Sequence, residues 1–170
     1  VSLDSDQIKK AHKKHKYTKT QVEQLEKCMD MKDGPLYFMK QFMRIQHPVK
    51  GSIPFEPFPY QERLIASYND HRFSIAMLPR QTGKTTCASG FLIWYAMFRP
   101  DSQILIAAHK YAGASDIMSR VRYAYEMLPS WIKAGVTQYN RNSIEFDNGS
   151  KISATTTTEN TGRGRSLTLV

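Results

Sequence analysis

The sequence predicts an α/β fold, a parallel sheet with flanking helices behind a polar, helical lead-in. Three observations carry this. An apolar run, Phe73-Ser74-Ile75-Ala76-Met77-Leu78, is followed by the polar loop Pro79-Arg80-Gln81-Thr82-Gly83-Lys84-Thr85-Thr86 and then by a helix-like run from Cys87 to Phe98. A second apolar run, Gln103 to Ala108, reads as a fully buried strand and leads into an amphipathic stretch from Ala112 to Leu128. Strand, loop, helix, strand and helix then close into a parallel βαβ core by the right-handed crossover rule.

A polar loop between a strand and a helix is the setting of a phosphate-binding loop. Such a loop turns backbone N–H groups inward, and the helix N-terminus adds its partial positive charge. In that reading Lys84 reaches β- and γ-phosphates and the Thr85 hydroxyl ligates Mg²⁺. Gly83 lets the backbone approach closely, while Gln81, Thr82 and Thr86 line the loop with donors. The fold is accordingly read as P-loop NTPase-like. The pattern lacks its first glycine, because Leu78 stands at that position. An ordinary strand–helix turn carrying a surface lysine is the alternative.

The remaining elements follow in order. Residues 4–32 read as a polar, mostly helical lead-in; Thr20 and Glu23 offer a capping box, and Val22, Leu25 and Met29 recur at helical spacing. Gly34-Pro35 breaks the chain. Phe38, Phe42 and Ile45 then form the stripe of an amphipathic helix that His47-Pro48 ends. Pro54, Pro57 and Pro59, with Gly51, mark an extended or turning linker. Tyr60-Gln61 opens a short helix with Leu64, Ile65 and Tyr68 on one side, ending at Asn69-Asp70. Past the second amphipathic helix, Ser143 to Asp147 and Lys151 to Thr157 alternate around Asn148-Gly149, a strong hairpin signal. Leu167 to Val170 reads as the start of another buried strand. The expected division is a lead-in over 1–33 and a nucleotide-binding unit over 34–170.

The chain has 170 residues, a formal charge of +9 and a pI near 9.6. That length suffices for one real core, and the positive balance favours contact with phosphate polymers. Lys9, Lys10, Lys13, Lys14, Lys16 and Lys19 cluster around His12 and His15, as a solvated helix face, a loose tail or a DNA-contacting arm. No apolar run is long enough to span a membrane, and Val1 to Thr20 has no apolar signal core. Cys28 and Cys87 match no metal spacing and fit a reduced, cytosolic compartment as buried or incidental thiols, with helix packing the expected role of Cys87.

Several pieces together resemble one family, the large terminase subunits of tailed bacteriophages, ATPase motors that drive viral DNA into the capsid. Arg80-Gln81-Thr82-Gly83-Lys84-Thr85 resembles the family's phosphate loop, whose Arg-Gln-x-Gly-Lys-Ser/Thr form dispenses with the first glycine. Upstream, Tyr37-Phe38, Ile45-Gln46-His47-Pro48, Gly51, Ile53-Pro54-Phe55 and Tyr60-Gln61 are similar to the approach to its adenine-binding motif. Downstream, Ala107-Ala108-His109-Lys110, Ser143-Ile144-Glu145, Asp147-Asn148-Gly149-Ser150 and Arg163-Gly164 resemble the segments before its Walker B strand. The resemblance covers about Pro35 to Val170.

The resemblance implies that ATP and Mg²⁺ are cofactors and that hydrolysis drives double-stranded DNA. Lys84 and Arg80 would be catalytic, Arg80 as an arginine finger within its own subunit; pairing with a nearby carboxylate is its other reading. Tyr60 and Gln61 would recognise adenine, or else be a helix-start aromatic and a surface amide. Implied partners are the phage portal and the small terminase subunit, with a ring formed only on the capsid, in the host cell cytoplasm and without a membrane. Lys110, Arg120, Arg122, Arg141, Arg163 and Arg165 are candidate DNA contacts. The family's Walker B Asp-Glu pair follows no apolar run here, so the chain is expected to be truncated before those acids and to lack the nuclease domain, as a cut piece or the product of a divided gene. A helicase-like translocase, or a nucleotide-binding fragment without turnover, are the competing functions.

Overall fold

A computed structural model of the chain describes residues 7–158, 161 and 166–170. It has five helices and six strands among them, in the order α1 (Lys19–Met29), α2 (Gly34–Phe42), β1 (Arg44–His47), β2 (Gly51–Pro54), α3 (Pro59–Asp70), α4 (Lys84–Phe98), β3 (Gln103–Ala108), α5 (Tyr111–Glu126), β4 (Val136–Tyr139), β5 (Ser143–Phe146) and β6 (Lys151–Thr156). The fold is mixed α/β. β1 and β2 form a separate antiparallel hairpin, and the main sheet has the order β3-β6-β5-β4. None of the helices is long and apolar enough to cross a membrane.

The expected parallel sheet and β-hairpin are joined in one mixed sheet. β3 and β6 pair in parallel, with Ile104 opposite Ile152, whereas β6–β5 and β5–β4 are antiparallel. The Asn148-Gly149 turn explains the first reversal: Gly149 takes φ +84°, and Ile144 faces Ile152 across the hairpin it closes. β4 has no counterpart in the sequence reading, because Val136–Tyr139 is only four residues long and two of them are exposed.

The run 73–78, expected as the strand before the loop, lies outside the sheet. Both flanks of β3 are occupied, one by β6 and the other by a parallel bridge from Ile104 to Leu169. Neither flank of β3 is therefore open to the run. Phe73, Ile75 and Met77 are all exposed, and only Leu78 packs against the core. Leu169 supplies that bridge and accepts from the Leu105 N–H at 2.9 Å, so the expected last strand is present as a single pairing.

α4 is apolar nearly all round and is the centre of the packing. It meets α2 and α3 on one side and α5, β3 and β6 on the other. Trp94, Ile93 and Phe91 on it are buried with Phe38 and Met39 of α2, Ile65 of α3 and Met118, Val121 and Tyr125 of α5. The hairpin turn closes the C-terminal end of α4: Asn148 Nδ2 donates to the carbonyls of Ala96 and Met97 at 2.9 and 3.2 Å.

The lead-in differs from expectation. Its single helix is capped by Thr18 with Gln21, two residues before the expected pair, because Thr18 holds the extended backbone a cap needs (ψ 161°). Val22 and Met29 are exposed, and Cys28 is the buried position of α1. Ahead of α1 the described chain is tied down: the Val136 N–H donates to Lys9 O at 2.9 Å, and the His12 N–H to Asp147 Oδ2 at 2.9 Å. The helix expected through Ile45 ends at Phe42, where Met43 turns extended (ψ 137°) and Ile45 pairs with Ile53.

Candidate functional site

α3 begins at Pro59, and its first turn sets Tyr60 and Gln61 against the loop. Leu64 and Ile65, a turn further on, bury the helix against its neighbours and so fix that placement. Gln61 is buried at 6% exposure. Its Oε1 accepts from the Phe58 N–H, and its Nε2 donates to Thr82 O, each at 3.0 Å. Tyr60 Oη donates to the same carbonyl at 3.0 Å, and its ring stacks on Phe58 with an interplanar angle of 6°.

The loop closes on itself around Lys84. Lys84 Nζ donates to the carbonyls of Leu78 and Pro79 at 2.8 and 2.6 Å, and Thr82 Oγ1 donates to Pro79 O at 3.0 Å. Two residues lie in the left-handed region, Gln81 at φ +64° and Gly83 at φ +76°. Gly83 is the N-cap of α4 and makes no side-chain cap, so the first N–H groups of the helix face the loop without an intrahelical partner. The Lys84 cation and the positive end of a 15-residue helix thus come together, with Thr85 next in the chain. That donor set suits an anion with several oxygens, and the contacts Lys84 now makes are ones that phosphate oxygens can replace.

Arg80 is exposed at the tip of the loop and makes no ion pair with a described residue. Cys87, one turn into α4, is fully buried, and burial pushes its thiol up to about 11. It is packing, as its position in the sequence suggests, and not a reactive group.

A cavity of about 460 Å³ that the sequence did not reveal lies between β1, the start of α4 and the middle of α5. Arg44, Ile45 and His47 line it from the hairpin, Thr86 from α4, and Ser119 and Tyr123 from α5. These residues are far apart in sequence, so no local pattern announces them.

The described basic candidates sit in different surroundings. Arg120 pairs with Asp116 at 3.2 Å, and Arg122 donates to Ser119 Oγ at 3.3 Å. Lys110 and Arg141 are brought to one end of the sheet by the Tyr111–Asn142 hydrogen bond of 3.0 Å between their neighbours. Arg163 and Arg165 lie outside the described residues. No group of three or more His, Cys, Asp or Glu suited to a metal occurs among the described residues. A buried cation was missed: Lys133, 3% exposed, donates to Gln7 O and Glu126 O at 2.8 Å each and helps hold the lead-in. Burial lowers its pKa, against the opposing pull of Glu126.

A family model described as "Terminase large subunit, T4likevirus-type, N-terminal" matches residues 75–167. The matched segment is more than half of the chain and contains the loop, α4, β3, α5 and the β5–β6 hairpin. It starts after Tyr60 and Gln61.

Proposed function

The chain belongs to the large terminase subunits, T4-like type, N-terminal region, and from that premise we propose that it binds Mg·ATP as a P-loop NTPase-like unit. The observation that carries this reading is the Lys84 ammonium, held inside loop 78–83 at the start of α4. On binding, Lys84 exchanges the carbonyls of Leu78 and Pro79 for β- and γ-phosphate oxygens. The N–H groups after Gly83 take further oxygens, and Gln61 and Tyr60 keep the loop in shape through Thr82. Mg²⁺, held through Thr85, would neutralise phosphate charge that Lys84 alone leaves. Phosphoryl transfer depends on positioning and on charge neutralisation, and this loop supplies both.

In the working subunit, hydrolysis is coupled to movement of double-stranded DNA, with portal and small terminase subunit as partners and Arg80 as a finger on the γ-phosphoryl group. The test of the binding step is calorimetry with Mg·ATP. Lys84→Ala should abolish binding, since the loop then loses its central cation. Equal affinity in wild type and variant would remove the phosphate-loop assignment.

A further inference from the structure

We infer that the lysine-rich arm ahead of α1 is a contact surface for the phosphate backbone of duplex DNA, with Lys10, Lys13 and Lys14 as its cations; this rests on the reading that the chain works on DNA. The sequence leaves three states open to these lysines: a solvated helix face, a loose tail or a DNA-contacting arm. The first is excluded, because no helix covers Lys9 to Lys16 and α1 starts only at Lys19. The second is excluded by how the segment is fastened.

The fastening runs both ways between the arm and residues more than a hundred positions away. Lys9 O accepts from the Val136 N–H at 2.9 Å, and Lys9 Nζ donates to Lys133 O at 2.8 Å. Lys133 Nζ donates back to Gln7 O at 2.8 Å, and the His12 N–H donates to Asp147 Oδ2 at 2.9 Å. Lys10 forms a parallel bridge with Val136, so the arm lies along the β4 edge of the main sheet. Gly135 makes room for it: a Cβ there would lie 2.9 Å from Ala11 Cα. Lys9 and Lys133 are thus engaged in holding the arm. A segment held beforehand loses little further freedom when a partner binds.

What the fastening presents is positive charge. A groove of about 600 Å³ runs beside the arm, and Lys10, Lys13, Lys14 and His15 line it together with Ser130. Lys10, Lys13, Lys14, Lys16 and Lys19 are all exposed, and none forms an ion pair with a described residue. Burial lowers the Lys9 pKa; Asp147 opposes this and Lys13 adds to it, so like charges stand close enough to repel. A polyanion relieves that repulsion.

The lining favours a nucleic acid over an acidic protein. Protein interfaces are depleted in lysine and enriched in aromatic side chains, methionine and arginine. This groove has five lysines, no arginine, and only Ile8 and Ala11 as apolar residues. Ammonium groups on long stems act as point charges, which suit a row of phosphates and read no bases.

Anisotropy of a labelled, mixed-sequence duplex, titrated with the full chain at several salt concentrations, tests this. Wild type should bind, with affinity falling steeply between about 50 and 200 mM salt and equally for a shuffled sequence. The triple variant Lys10→Gln, Lys13→Gln, Lys14→Gln should flatten the log–log salt slope by about 2–3, at about 0.9 per phosphate contact. Its Tm should hold, since all three side chains are exposed. The triple variant Lys27→Gln, Lys32→Gln, Lys50→Gln removes the same charge from other exposed positions and should leave the slope near that of wild type. If the arm variant keeps the wild-type slope, or the second variant loses as much, the arm assignment is overturned and the DNA reading stands. If polyglutamate binds wild type as tightly as the duplex does, with the same dependence on the arm lysines, the surface serves an acidic protein and the assignment is again overturned. If wild type binds no duplex, the DNA reading of this chain falls, and this one with it.

Discussion

Gln61 stands over Gly83. Its Nε2 donates to the Thr82 carbonyl at 3.0 Å, and a Cβ built on Gly83 would lie 2.5 Å from that same nitrogen. The glycine also has φ +76°, which side chains rarely adopt. One amide and one missing side chain therefore join α3 to the start of α4 and set the shape of the loop between them.

Gly83→Ala should consequently destabilise the chain by about 1–2 kcal/mol from the left-handed backbone alone, and further through the collision. In a Gln61→Ala background the collision is gone and only the backbone cost remains. Denaturant unfolding of the four proteins in this cycle measures the difference. A neutral Gly83→Ala would mean that the loop is not held in this shape.

What the sequence disclosed follows from how local each signal is. The strand Gln103–Ala108, the helices at 59–70, 84–98 and 111–126, and the Asn148-Gly149 hairpin are written in contiguous residues, and each appears within a few positions of its expected bounds. The polar loop ahead of α4 was legible for the same reason. The run 73–78 misled because apolar residues signal a strand only where a sheet edge is open to them, and Leu169 occupies that side of β3. The hairpin cavity, the buried Lys133 and the Asn148 bonds to α4 depend on contacts between residues tens of positions apart, which no spacing rule encodes.

A second prediction concerns the join between the lead-in and α4. Trp94 Nε1 donates to the Cys28 carbonyl at 2.7 Å, with both groups buried. Trp94→Phe leaves that carbonyl without its partner, at a cost of about 1–3 kcal/mol, and opens space besides. Hydrogen exchange should quicken first in Lys19–Met29, ahead of the sheet. Uniform loosening across the molecule would show that this bond does not anchor α1.

Stability should decline in alkali. Burial pushes the Cys28 thiol up to about 12 and the Cys87 thiol up to about 11, from 9.0. Burial also raises the Tyr125 and Tyr139 phenols, Tyr139 further through its bond to Glu126. Above about pH 9 the unfolded chain releases thiol protons that the folded chain keeps, so this stability is complete below about 9 and is lost as pH climbs through the folded values. Lys9 and Lys133, both lowered by burial, work in the opposite sense just below 10.5. Burial raises the Tyr68 phenol as well, so five groups oppose two, and Tm should fall from about pH 9 upward. A Cys28→Ala, Cys87→Ala double variant should start lower and fall less steeply. An unchanged slope would place the alkaline loss in the tyrosines.

The last prediction separates a catalytic Arg80 from a structural one. The side chain is exposed and has no ion-pair partner among the described residues, so the fold gains nothing evident from it. An arginine finger acts on charge that spreads over the γ-phosphoryl group during transfer, and so contributes chiefly in the transition state. If Arg80 is such a finger, Arg80→Ala in the proposed ATPase should cut turnover by roughly a thousandfold or more. ATP affinity and Tm should change little, because neither the phosphate contacts proposed for Lys84 nor the packing involves Arg80. Arg80→Lys should not restore the rate, since an ammonium cannot bridge two oxygens as a guanidinium does. A drop in Tm with turnover retained would instead make Arg80 a structural ion-pair partner, and a stable, fully active Arg80→Ala protein would leave it a surface charge with no part in the reaction.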